Sequence, residues 1–172
     1  GRGVLEEIDV RIGSEDANAP GFRIALAIPA NAGVDAPAPV ILTGNFCGNP
    51  GSLGSDLLSP PRAAGACDGD GLMGRVARLI FGMHIIESPT AEILDRGYAY
   101  AAVFPSEIVA DGGGAELARR DLEAFASLLP EDRQPNAAIA VWAAAFGWMN
   151  DVLDEDPRLD ASRTAAYGHF GR

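Results

Sequence analysis

The stretch RTAAYGHFGR, residues 163–172, decides the fold that we predict for this chain. Its first half, 164–167, is a small apolar run of the kind that forms a β-strand, and it leads directly into Gly168. Gly168 and Gly171 bracket the next residues, as expected of a sharp turn in which bulky side chains would collide. We therefore expect a sheet that delivers this turn to one of its edges.

Four other apolar runs predict the strands that this one joins. The runs 4–12 and 21–29 flank a polar turn, so we interpret them as two antiparallel strands. The continuous run 39–43 is typical of a strand buried on both faces, and 98–104 predicts a further buried strand. With 163–167 as the closing strand, the sequence predicts a sheet that starts antiparallel and continues largely parallel.

Helical segments are expected between these strands. A glycine stop ends the predicted helix 90–97, the run 115–129 is amphipathic, and a helix is expected within 72–86. Asn136 is expected to cap a helix that continues to about residue 155. Apolar residues recur in that helix at three- and four-residue steps: Ile139, Trp142, Phe146, Met149 and Leu153. We expect Trp142 to lie in the core and Trp148 at the surface.

The alternation of strands and helices predicts an α/β fold, and 172 residues fit a single domain spanning 1–172. The formal net charge is −11, with acidic residues spread along the chain, so nucleic acid and anionic membranes are disfavoured as partners. No run approaches the roughly 18 apolar residues of a membrane span, and the first residues lack the signal-peptide pattern. All 13 basic residues are arginine, which excludes lysine Schiff-base chemistry.

The segment 52–74 is rich in glycine, serine and proline, and a loop of that length is usually functional or disordered. It contains Cys67, which a disulfide could join to Cys47, although two cysteines do not identify the compartment. The residues 69–74 match G-x-G-x-x-G, but no strand precedes them, so we interpret them as a loop rather than a nucleotide site. No cofactor is expected.

The turn at Gly168 can be compared with the G-x-S-x-G motif, in which a nucleophilic serine sits between strand and helix. Four steps separate the glycines of that motif, whereas three separate Gly168 from Gly171, and no serine lies between them. The sequence therefore does not match the G-x-S-x-G motif. A strand end followed by a loose tail is the alternative interpretation.

Three longer segments carry a resemblance to a known family. They are PVILTGNFCGN at 39–49, EILDRGYAYAAVFPSEIV at 92–109 and AAIAVWAAAFGWMNDVLDEDPRLDASRTAAYGH at 137–169. In this order they resemble the N-terminal half of the α/β-hydrolase esterases of the glucuronoyl esterase type, carbohydrate esterase family 15. The resemblance implies an α/β-hydrolase-type sheet that is incomplete here, a serine carboxylester hydrolase, and a secreted or periplasmic location.

The resemblance assigns a role to the loop after the third strand. Asn45, Phe46, Cys47 and Gly48 occupy the place where this fold supplies a backbone N–H to the oxyanion hole. Such a donor must come close to the developing charge, which suits the small Gly48. The alternative is an ordinary turn in which the asparagine caps its own backbone.

The resemblance also shows what this sequence lacks. A Ser-Arg pair of the expected elbow has no counterpart between His169 and Phe170, and the acid and the histidine that follow the serine have none either. Gly168, His169 and Gly171 are therefore interpreted as the remnant of an elbow. Neither His84 nor His169 is assigned as the general base, and these 172 residues alone are expected to be inactive.

Two polar residues, Ser106 and Glu107, follow the strand 98–104 and are candidates for lining a substrate cleft at the carboxyl edge of the sheet. Equally, they could only cap the next turn. The acidic run 154–156 has no histidine or cysteine nearby in sequence, so it is interpreted as a solvated helix end rather than a metal site. No metal is predicted.

The sequence leaves three hypotheses open. The first is the N-terminal portion of a serine carboxylester hydrolase that acts on an ester of a sugar acid. The second is a non-catalytic carbohydrate-binding or scaffold remnant of the same fold, and the third is a flavodoxin-like or nucleotide-binding module. The first requires Gly168 to lie beside the loop 45–49, at the rim of a parallel sheet.

Overall fold

The structure is a computed structural model that describes residues 2–13, 19–63, 88–111 and 115–168. Several sequence predictions lie outside the described residues: the helix within 72–86, the glycine loop 69–74, and the residues Cys67, His84, His169 and Gly171.

Five strands form one mixed sheet in the described part of the chain, in the order β1-β2-β4-β3-β5. Their bounds are β1 Gly3–Arg11, β2 Gly21–Pro29, β3 Ala38–Gly44, β4 Ala99–Val103 and β5 Leu159–Gly168. β2 pairs antiparallel with both β1 and β4, whereas β3 lies parallel to both β4 and β5. The predicted α/β sheet, antiparallel at its start and parallel later, is confirmed.

Helices cover both faces of this sheet. Their bounds are α1 Asn49–Leu53, α2 Thr90–Asp95, α3 Ala115–Ala126 and α4 Ala138–Leu153, with 3₁₀ turns at Pro105–Glu107 and Glu131–Arg133. Apolar residues of α3 and α4 pack with β2, β3 and β4 in a large core, and those of α1 and α2 pack on the other face. Every residue of β2 and β4 is buried as a result, including Arg23 of β2.

The buried stripe of α4 differs from the predicted one. Its buried residues recur at four-residue steps: Val141, Ala145, Met149 and Leu153. Ile139 is 52% exposed, because two residues turn a helix by roughly 200° and place it opposite Val141. The prediction of Asn136 as the cap is also wrong, since Ala137 holds the N-cap position without a side-chain hydrogen bond. Packing against the sheet stabilises this helix in place of a cap.

Both tryptophans of α4 are half-buried, so the prediction of Trp142 in the core and Trp148 at the surface is wrong for each. Trp148 packs against the rings of Phe22 and Phe125, with ring centroids 6.4 and 5.3 Å away, and so lies against the large core. Trp142 is half-buried at the sheet edge, where its Nε1 donates a hydrogen bond to the carbonyl oxygen of Val109, 3.0 Å away. The polar indole nitrogen explains why this ring remains at the periphery.

The closing strand is longer than predicted. β5 begins at Leu159, opposite Ala38, and its register shifts between Pro39 and Val40 before regular pairing resumes with Thr164. This irregularity interrupts the apolar pattern, so the sequence showed only the second half of the strand. β5 is one of the two edge strands of the described sheet, opposite β1, and Tyr167 on it is 60% exposed.

Candidate functional site

The carboxyl ends of the three parallel strands meet at one edge of the sheet. Gly44, the last residue of β3, is the register partner of Val103 on one side and of Gly168 on the other. The glycine that ends β5 therefore lies directly beside the strand that leads into the loop 45–49. This is the placement that the esterase hypothesis requires. The elbow role predicted for Gly168, His169 and Gly171 stays a prediction.

Close packing explains the glycine at the end of β3. A Cβ on Gly44 would lie 3.3 Å from Cζ of Phe146 and 3.6 Å from Cγ of Pro105. Helix α4 and the turn after β4 thus both pack closely against the backbone of β3 at Gly44. A larger residue at this position would push one of these groups away from the edge.

The loop after β3 is held by a chain of amides. The backbone N–H and the Nδ2 of Asn45 both donate to the carbonyl oxygen of Val103, each at 2.9 Å. The same Nδ2 donates to Oδ1 of Asn49 at 2.8 Å, and Nδ2 of Asn49 donates to the carbonyl oxygen of Arg23 at 2.9 Å. The loop is therefore tied to β4 and, through the buried Asn49, to β2.

Two further residues constrain this loop. Gly48 has a φ of +80°, a conformation that favours glycine, and a Cβ there would lie 3.0 Å from Cγ of Pro61. Cys47 is buried and disulfide-bonded in the structure. Its predicted partner Cys67 lies outside the described residues, so that pairing stays a prediction.

Among the residues that the structure describes, the N–H groups of Phe46 and Gly48 have no hydrogen-bond partner. The N–H of Asn45, in contrast, is used on Val103. Oxyanion stabilisation requires a fixed main-chain donor that is not already engaged. Phe46 and Gly48 could therefore supply it, and Asn45 could not. The oxyanion role of the loop stays a prediction.

A small cavity of about 40 Å³ lies beside this loop. Asn45 and Phe46 line one part of it, and Ser106, Asp111 and Trp142 line another. The Oδ1 of Asn45 is buried without a hydrogen-bond partner among the residues that the structure describes. A cavity of this size holds a few water molecules rather than a sugar ring, so the described residues form the floor of a site and not a whole pocket.

The two predicted cleft residues after β4 have different surroundings. Ser106 lines the cavity, whereas the side chain of Glu107 is only 2% exposed and forms an ion pair with Arg23 at 3.0 Å. Its Oε2 also accepts the backbone N–H of Arg23, and its Oε1 accepts the backbone N–H of Arg62. Glu107 thus joins β2, the end of β4 and the segment 60–62. Its part in a cleft stays a prediction.

Arg23 is a site residue that the sequence interpretation missed. Besides Glu107, its guanidinium contacts the carbonyl oxygen of Pro60 at 2.6 Å and Glu7 at 3.4 Å. Burial raises the pKa of Glu7, but the hydrogen bonds from Ser59 and the charge of Arg23 outweigh it, so the pKa is lowered overall. A signal was present, because a charged residue inside the apolar run 21–29 must be paired when buried.

The acidic run 154–156 has a structural partner. Asp156 forms an ion pair with Arg158 at 2.6 Å, and Arg158 also contacts Glu6 at 2.8 Å. The hydrogen bonds from Arg158 lower the pKa of Asp156.

Within the described ranges, no group of three or more histidine, cysteine or acidic side chains is arranged to hold a metal ion. No described helix combines the length and the apolar character needed to cross a bilayer.

The strand order, the parallel strands after an antiparallel start and the loop at the edge define an α/β-hydrolase-like fold. Solved structures agree with this class. A glucuronoyl esterase from Solibacter usitatus superposes with a TM-score of 0.69 and 26% identity, covering 98% of this chain and 42% of that one. A promiscuous CE15 esterase from a marine bacterial metagenome matches with a TM-score of 0.65 and 18% identity, over 98% of this chain and 42% of that one.

A third match is a CE15 glucuronoyl esterase from Teredinibacter turnerae, with a TM-score of 0.60, 19% identity, and coverage of 96% of this chain and 35% of that one. The chain therefore spans less than half the length of these structures. No family model matches the sequence, and no curated protein matches it. The chain is similar in structure to part of the carbohydrate esterase family 15 esterases, which confirms the resemblance found in its sequence.

Proposed function

We propose that this chain forms the oxyanion-loop part of a serine carboxylester hydrolase that acts on an ester of a sugar acid. The main support is the register that sets Gly168 beside Gly44, together with the likeness to a glucuronoyl esterase at 26% identity over 98% of the chain. In this proposal the backbone N–H of Phe46 stabilises the oxyanion of the tetrahedral intermediate.

The remaining chemistry is assigned to residues outside these 172. A serine attacks the ester carbonyl, a histidine takes its proton, and an acidic residue orients that histidine, before water hydrolyses the acyl-enzyme. No serine lies between Gly168 and Gly171, and the histidines in the sequence are His84 and His169. The 172 residues alone are thus expected to lack the hydrolysis that the complete enzyme performs.

A second candidate is a non-catalytic, carbohydrate-binding or scaffold member of the same fold. The sequence GHFGR at 168–172 favours it, because no serine follows Gly168 and the Ser-Arg pair of an elbow has no counterpart between His169 and Phe170. The two candidates differ in whether an activated serine exists anywhere in the mature protein.

The test uses the protein encoded by the whole reading frame that contains these residues. Hydrolysis of the benzyl ester of glucuronic acid is measured by release of benzyl alcohol, and a fluorophosphonate probe reports an activated serine. The proposal expects ester hydrolysis, labelling of one serine, and loss of both when that serine is replaced by alanine. A folded product that neither hydrolyses the ester nor reacts with the probe would overturn the esterase and leave the non-catalytic candidate.

A further inference from the structure

We propose that Asn49 is a positioning residue that aims the backbone N–H of Phe46 by acting through Asn45. This inference rests on the proposed function, because it assigns the means by which the oxyanion donor is held. Neither asparagine is proposed to touch the reacting atoms. The supporting contacts run from the donor back into the sheet.

Asn45 is the residue that fixes where the next N–H points. Its backbone N–H and its Nδ2 converge on one acceptor, the carbonyl oxygen of Val103, each at 2.9 Å. These two bonds fix the position of Asn45, from which the following peptide unit extends. The N–H of Phe46, which belongs to that unit, is thereby held at the carboxyl edge of the sheet.

Asn49 determines the orientation of the Asn45 amide. Its Oδ1 accepts the second hydrogen of Asn45 Nδ2 at 2.8 Å, so rotation of the Asn45 amide would break two hydrogen bonds. Asn49 is itself only 5% exposed, and its Nδ2 donates to the carbonyl oxygen of Arg23. Water therefore has little access to replace the lost partner if Asn49 is truncated.

The far end of this chain of contacts lies in a buried strand. The carbonyl of Arg23 belongs to β2, and the N–H of the same residue donates to the buried carboxylate of Glu107 at 3.0 Å. The loop is thus anchored to the start of β2 and to the turn after β4. Catalysis by a preorganised donor depends on such support, since a misplacement of about 1 Å can cost on the order of 100-fold in rate.

The test compares Asn49→Ala with Thr164→Val in the protein encoded by the whole reading frame. Thr164→Val is the matched control, because it also removes side-chain hydrogen bonds, those from Oγ1 to Asn150 and to Ala161, but lies away from the loop. Asn49→Ala is expected to lower kcat for the glucuronic acid ester about 100-fold while KM changes less than about threefold. Thr164→Val is expected to leave both constants close to those of the wild type.

Amide hydrogen exchange gives a readout that needs no catalysis. The N–H of Asn45 should exchange about tenfold faster in Asn49→Ala than in Thr164→Val, because the loop opens more readily. Should Asn49→Ala fail to fold, Asn45→Ala breaks the same bond from its other end and is expected to give the same loss of kcat. Equal kcat values in the loop variant and the control, or unchanged exchange of Asn45, overturn the positioning role. A wild-type protein without esterase activity overturns the proposed function, and hydrogen exchange then decides the positioning role alone.

Discussion

The two ends of the sheet each contain an arginine between two carboxylates, and they differ in burial. At the carboxyl edge, the side chains of Arg23 and Glu107 are 9% and 2% exposed. At the amino edge, Arg158 and Glu6 are 35% and 34% exposed. A buried ion pair loses much of its attraction to desolvation, yet removing one partner leaves an unpaired charge in the interior. A half-exposed pair is screened by water and contributes little.

The comparison indicates that arginine–carboxylate ion pairs have different roles at the two edges of the sheet. The carboxyl edge places its ion pair beneath the candidate site, where it fixes the backbone to which the loop 45–49 is tied. The amino edge uses Arg158 to join the start of β5 to Glu6 on β1, across the outside of the fold. Substitutions at the two edges and in the loop measure this difference, and their effects are expected to decrease in the order Glu107, Gly48, Arg158.

Replacing Glu107 with alanine should be the most damaging change. It leaves the Arg23 guanidinium buried without its main partner, which typically costs about 3–5 kcal/mol of unfolding free energy. Urea denaturation followed by circular dichroism measures the loss. The double variant Arg23→Met with Glu107→Leu removes both charges, and it should be more stable than Glu107→Ala alone. A single variant as stable as the wild type would show that the pair is not buried in solution.

Replacing Gly48 with alanine should have an intermediate effect. The φ of +80° and the contact with Pro61 together should cost about 1–3 kcal/mol, and the loop should be displaced locally. Gly147→Ala is the control, because Gly147 lies within α4 and a Cβ there would meet nothing within 4 Å. Alanine at that position should stabilise the helix by about 0.5–1 kcal/mol. Thermal denaturation should therefore shift in opposite directions for the two variants. Shifts in the same direction would contradict the strained geometry of Gly48.

Replacing Arg158 with alanine should have the smallest effect, about 0.5–1 kcal/mol at neutral pH. The pKa of Asp156 is lowered by this arginine, so its contribution is present above the unfolded pKa and is lost as the pH falls through the folded pKa. The wild type and Arg158→Ala should accordingly converge in stability well below pH 4 and in high salt. A difference that persists at low pH would show that packing, rather than charge, accounts for the effect.

Much of the sheet could be predicted because its signals are local. The bounds of β2 agree with the predicted 21–29, since an apolar run between turn residues indicates a strand even though it contains Arg23. The start of β5 could not be predicted, because the register shift beside Pro39 is a property of two strands together. The prediction for the buried stripe of α4 was wrong for a related reason. Which side of the helix is buried depends on how closely the helix packs against the sheet, and the sequence of the helix alone does not give that distance.

The candidate site was predictable in position but not in its side-chain contacts. The glycine turn and the loop 45–49 both follow apolar runs, and parallel strands bring such loops to one edge. The contact between Asn49 and Arg23 joins residues 26 positions apart, and the contact between Glu107 and Arg23 joins residues 84 apart. No pattern of composition or period encodes such pairings. A lone arginine in a buried strand indicates only that some partner must exist.

The strand order has a consequence for how the chain acquires its structure. β1 and β2 are adjacent in sequence and in the sheet, so this hairpin can form from the first 29 residues. β2 and β3 are separated by β4, which enters between them from residues 99–103. Closing such distant contacts is slow, because the loop entropy is lost before the pairing energy is gained. The insertion of β4 between β2 and β3 is therefore expected to be the slow step in forming the sheet.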